Sequence, residues 1–116
     1  MARHVVARTS DIPPGGRKIV KVEGREVGIF NLSGTYHALK NVCPHQGARV
    51  CLGKVSGTTL PSRVREFTYG LDGQILRCPW HGWEYDITTG RSVFDPNVKV
   101  VTYPVSVEGD HVVVSI

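Results

Sequence analysis

Two short motifs hold the residues whose types and spacing can do chemistry: Cys43-Pro44-His45-Gln46-Gly47 and Cys78-Pro79-Trp80-His81-Gly82-Trp83. Each offers one thiolate and one imidazole. Two such loops at one end of a small domain present two sulfurs and two nitrogens. That donor set fits a 2Fe–2S centre in which His replaces Cys on one iron. Structural zinc uses the same atoms, but its sites favour Cys-x2–4-Cys and His-x3–5-His pairs. Here each arm mixes the types, Cys-x-His and then Cys-x2-His, so iron–sulfur is the preferred reading and zinc the alternative. Pro44 and Pro79 stiffen the loops, and Gly47 and Gly82 let the backbone pass close to a cluster. Trp80 and Trp83 can shield the sulfurs, and backbone N–H groups donating to sulfur tune the potential.

The elements that must position these loops read as β throughout. Arg17–Val22 and Arg25–Leu32 are rich in β-branched residues and are joined by Glu23-Gly24, a tight hairpin turn. Thr35–Leu39 follows a turn at Ser33-Gly34, and a short strand precedes the rigid Pro13-Pro14-Gly15-Gly16 loop. Later strands are expected at Gln74–Arg77, Trp83–Ile87, Val98–Val107 and His111–Ile116, with turns at Leu71–Gly73, Thr89-Gly90 and Glu108–Asp110. No window carries helical periodicity. With 13 glycines and seven prolines, the pattern points to a sandwich or small barrel of short antiparallel strands. Residues 50–69 are polar and turn-rich, with weak strand character at Val64–Tyr69, and read as an extended loop or hairpin inserted between the motifs.

The 116 residues suffice for one modest core, so a single domain over 1–116 is expected, its cluster-binding part about 41–90 and the insertion about 50–70. No apolar run reaches membrane-span or signal-peptide length, which reads as a cytoplasmic protein without a membrane role. Three cysteines cannot all pair, and Cys mixed with His in a reducing compartment points to metal. The net charge of +4 favours acidic protein partners. Nucleic acid is not expected, because the basic residues are scattered and no basic–aromatic run forms a stacking platform.

In its CPHQGA and CPWHGW motifs, with NVCPHQGA after YHAL and WEYDITTGRS beyond, the chain resembles the Rieske family, in its oxygenase and ferredoxin branch. The resemblance runs from about residue 4 to the C-terminus. It implies an all-β, Rieske-type antiparallel β-sandwich with a cluster-binding subdomain. It also implies that Cys43 and Cys78 hold a buried iron, and that His45 and His81 hold an outer one near the surface. The function implied is a ferredoxin that takes electrons from a flavin-dependent reductase and passes them to a terminal oxygenase or similar enzyme. The alternative is a tightly bound small subunit of a reductase such as nitrite reductase. A self-sufficient oxygenase fails on inventory: a 2-His-1-carboxylate site needs two further histidines, and only His111 follows His81.

Two departures refine the resemblance. The cytochrome bc-complex branch braces its loops with a disulfide and places a serine donor after the second His-Gly. The corresponding positions here are Ala48 and Trp80, and then Trp83. Losing that donor disfavours the reduced cluster, so the potential is expected toward the low end of about −150 to +300 mV. The second departure is length: 32 residues separate His45 from Cys78, about twice the gap in Rieske ferredoxins.

The remaining reactive residues have plainer readings. Cys51 is a small buried or partly exposed cysteine rather than a redox sensor or spare ligand. His37 is packed or surface-exposed, and His4 and His111 are exposed strand residues. Tyr85 occupies the family position where a hydroxyl can reach a ligand sulfur, with simple packing as the alternative. Arg49, Lys54, Arg63 and Arg65 form a solvated basic loop, with a docking surface as the alternative reading.

Overall fold

The computed structural model describes residues 2–42, 49–60, 68–78, 84–93 and 97–116. Among the described residues, ten strands make three antiparallel sheets. The first joins β1 (Arg3–Arg8), β10 (His111–Ser115) and β9 (Val105–Glu108). The second runs β2 (Arg17–Val22), β3 (Arg25–Leu32), β4 (Thr35–Lys40) and β8 (Thr102–Tyr103). The third joins β5 (Lys54–Leu60), β6 (Thr68–Arg77) and β7 (Glu84–Asp86). Two 3-10 turns, Thr9–Asp11 and Val50–Leu52, are the only helical pieces among the described residues, and no helix there is long and apolar enough to cross a membrane.

Period-two alternation on β3 and β4 makes the four-stranded sheet the central layer. Val27, Ile29 and Ala38 point to one face, where they pack with Ile12, Val112 and Val114. Phe30 and Leu39 point to the other, onto Leu76, Tyr85, Ile87 and Val100. Cys78, the first residue of the second motif, belongs to this second core.

Turn chemistry sets the registers. Glu23 and Gly24 have φ of 48° and 78°, and Ser33 and Gly34 have φ of 54° and 95°. Positive φ at both central residues matches the right-handed twist of flanking strands. The two hairpins pair Val22 with Arg25 and Leu32 with Thr35, as the sequence leads one to expect.

Two expectations are corrected and one is narrowed. Leu71–Gly73 is not a turn but part of β6. Its turn-forming residues lie in a bulge, because Ser56 pairs with Ile75 while Thr58 already pairs with Gly70. The insertion, expected as an extended loop or hairpin, takes the hairpin form, with β5 and β6 paired within the third sheet; residues 61–67 between them lie outside the described residues. Val98–Val107 is not one strand. Pro104, with no N–H to donate, separates β8 from β9. The stretch before β8 divides its hydrogen bonds, with Val98 and Val100 bonding to Ser92 and Gly90, and Val101 to Lys40.

Two close approaches hold the third sheet to its surroundings. A Cβ on Gly53 would strike the Arg77 carbonyl oxygen, and one on Gly90 the Val100 carbonyl oxygen. Gly53→Ala should therefore lower the unfolding free energy by about 1–3 kcal/mol, as overpacking does. Gly24→Ala meets open space at positive φ and should cost about 1 kcal/mol, mostly from its conformation. Thermal melts check the pair; an equal loss would deny Gly53 its packing role. Cys51 is fully buried, and burial pushes its thiol up to about 12. Iodoacetamide at neutral pH should leave it unmodified in the folded protein and label it only after unfolding, as peptide mapping would show.

Candidate metal centre

The second motif begins where β6 ends. Arg77 closes the strand, and Cys78, 1 % exposed, packs in the core that holds Leu76, Tyr85 and Cys51. A thiol kept dry at the root of a loop suits a ligand to a buried iron. The chain resumes at β7, where the Glu84 carbonyl accepts from Val93 N at 2.9 Å and the Glu84 carboxylate meets Arg77 at 3.3 Å.

The first motif is rooted on β4. Past Lys40, the backbone N–H of Asn41 donates to the Glu26 carbonyl at 2.9 Å. The chain returns through Arg49 into the Val50–Leu52 turn, whose Val50 and Cys51 are wholly buried. Asn41 Oδ1 accepts from Cys51 N at 2.8 Å, joining the two sides of the stem. Gly53 then passes against Arg77, next to Cys78, and Lys54 pairs with Arg77 to start the β5–β6 ladder. The root of the first motif and that of the second are thus brought side by side.

Of the four expected ligands, Cys78 is described and stands at that junction. Cys43, His45 and His81 lie outside the described residues, as do Pro44, Gly47, Ala48, Pro79, Trp80, Gly82, Trp83, Arg63 and Arg65. Among the described residues no group of three or more His, Cys, Asp or Glu side chains forms a cation cage.

The other reactive residues resolve plainly. Cys51 is a core thiol, its Sγ 3.7 Å from the Leu39 carbonyl oxygen, and its raised pKa keeps it protonated. Tyr85 is fully buried in the same core as Cys78. His37 is half-buried, and desolvation lowers its pKa while the nearby Asp86 charge partly offsets that. His4 Nε2 lies 3.1 Å from Glu23, and His111 Nδ1 lies 3.6 Å from Asp110. Arg49 faces Glu26 at 3.2 Å, so part of the basic patch is already neutralised. Sequence reasoning missed Arg17 and Asn41, which bond to the stem. An arginine on a strand looks like any solvated strand residue, and only the fold shows what it reaches.

Cys78's burial at the junction of the two loop roots fits a thiolate ligand of a 2Fe–2S cluster. Comparison with known proteins agrees. The model of the Rieske [2Fe-2S] domain matches residues 2–104. The ferredoxin component of a naphthalene 1,2-dioxygenase system from Pseudomonas aeruginosa is 32 % identical over 109 residues, covering 91 % of this chain and 88 % of that protein. The ferredoxin of carbazole 1,9a-dioxygenase from Nocardioides aromaticivorans IC177 superposes with a TM-score of 0.78 at 22 % identity, covering 99 % and 98 % of the two chains. A chain assigned as an NADH-dependent nitrite reductase small subunit from Mycobacterium tuberculosis gives a TM-score of 0.72 at 23 % identity, over 97 % and 93 %. The two structures show a shared fold; with the domain match and the sequence relative, they establish that the chain belongs to the Rieske [2Fe-2S] domain family.

Proposed function

We propose that the chain is a one-electron carrier between a flavin-dependent reductase and a terminal oxygenase, with one [2Fe–2S] cluster held by Cys43, His45, Cys78 and His81. The observation that carries this reading is the extent of the match to the naphthalene dioxygenase ferredoxin component, which spans nearly the whole of both chains. When bound, the cluster supplies a reversible one-electron change at iron.

The chain's own residues do the rest. Cys78 enters from a dry core, so its thiolate is screened from water on the strand side. Cys43 would join it as the second thiolate ligand, and His45 and His81 would supply the two imidazole ligands through which the cluster could pass its electron to a partner. The cluster-binding part is about 41–90, with the insertion about 50–70 supplying the β5–β6 hairpin. Trp83 in place of a serine donor sets the potential toward the low end of about −150 to +300 mV. The buried thiol of Cys51 suits a reducing cytoplasm.

The nitrite reductase small-subunit fold is shared, so a fixed reductase subunit is the second reading. The 32 % identity to a ferredoxin component favours the mobile carrier. Size-exclusion of the protein with its candidate partners separates the two: a carrier elutes alone, a fixed subunit co-elutes.

The purified protein should be coloured and contain two irons and two sulfides per chain; a colourless protein with one zinc would overturn the assignment. Cys78→Ser should cut cluster content by roughly tenfold while far-UV circular dichroism stays that of a β protein. His81→Cys puts a thiolate where a neutral imidazole stood. It should lower the potential by on the order of 100 mV in redox titration, and an unchanged potential would exclude His81 as a ligand.

A further inference from the structure

The stem of the first motif, Asn41–Val42 before it and Arg49–Gly53 after it, belongs to no strand and is closed by side chains. Asn41 is 2 % exposed. Its Oδ1 accepts from Cys51 N at 2.8 Å, and its Nδ2 donates to Glu26 Oε1 at 3.4 Å. The same Glu26 oxygen receives Arg49 Nε at 3.2 Å, so one carboxylate touches both sides of the stem. From β2, Arg17 stacks its guanidinium 5.5 Å from the centre of the Phe30 ring, which stands opposite it in the ladder. Its Nη1 donates to the Cys51 carbonyl at 2.9 Å and to the Gly53 carbonyl. Cys51 is therefore gripped at its N–H by Asn41 and at its C=O by Arg17, and Gly53 carries that grip to Arg77 and the root of the second motif.

We propose that Arg17 and Asn41 are positioning residues for the cluster: they close the stem that carries Cys43 and His45 and fix it against the root that carries Cys78. This polar clamp does the bracing for which the chain has no cysteine at Ala48 or Trp80. A planar guanidinium is suited to the task, because its stacked plane and paired donors set direction as well as distance. Asn41 is equally specific, because an apolar residue there would leave the buried Cys51 N–H without an acceptor. The inference rests on ligation by Cys43 and His45.

The test uses the cluster-loaded protein and two readouts: the rate at which visible absorbance bleaches in excess chelator, and the EPR g values of the reduced state. Arg17→Met and Asn41→Leu should each bleach on the order of tenfold faster and show displaced g values, as expected when a buried backbone group loses its partner. Lys18→Met, whose parent ammonium faces Asp11 at 4.0 Å, should change neither. Bleaching rates and g values matching the unaltered chain in both stem variants would overturn the clamp. If those variants fail to fold, Arg17→Lys decides: it keeps the charge but loses the stacked fork, and unshifted g values there would again overturn it. Cys43→Ser distinguishes the underlying reading, since retention of the cluster in that variant would refute the ligation itself.

Discussion

Gly53 passes so close to the Arg77 carbonyl that no side chain fits between them, and at this contact the two motif roots are locked together. A metal cluster tolerates errors in ligand position of only a few tenths of an ångström. Two loops 32 residues apart in the chain cannot meet that tolerance through local structure alone. The β5–β6 hairpin that intervenes returns the chain in register, Lys54 against Arg77, so Cys78 emerges beside the stem that Asn41 and Cys51 close.

The layered core gives this contact its stiffness. The four-stranded sheet offers one face to each neighbouring sheet, so its second face is both a wall of the core and the floor under the motif roots. Buried polar groups that would weaken such a core are bonded. Asn31 donates to the Ile12 carbonyl and accepts from Gly34 N, and Asn41 bridges to Cys51. Among the described residues, no buried side-chain nitrogen or oxygen lacks a partner. Satisfied networks of this kind fix a single arrangement where apolar packing alone tolerates several.

Much of this could be read from the chain before folding was considered. Glu23-Gly24 and Ser33-Gly34 announce their hairpins because few residues accept positive φ at two successive positions. The strand that ends at Arg77, just before Cys78, is legible in the Gln74–Arg77 run. Leu71–Gly73 misled because the residues that make a turn also make a bulge, and only the partner strand decides between them. Within Val98–Val107, Pro104 is a local signal for the break between β8 and β9, but the stretch before β8 is shaped by tertiary hydrogen bonding to Gly90, Ser92 and Lys40, which no local pattern encodes. Arg17 was illegible for the same reason: its partners lie 34 and 36 residues away.

The central claim is that two cysteines and two histidines share one [2Fe–2S] cluster. Pulsed EPR of the reduced protein tests it most directly, through the hyperfine coupling of nitrogen to the unpaired spin. The account predicts strong coupling to two imidazole nitrogens, one lost in a His45 variant and the other in a His81 variant. A paramagnetic cluster without strongly coupled nitrogen, or a diamagnetic protein holding zinc, would contradict it.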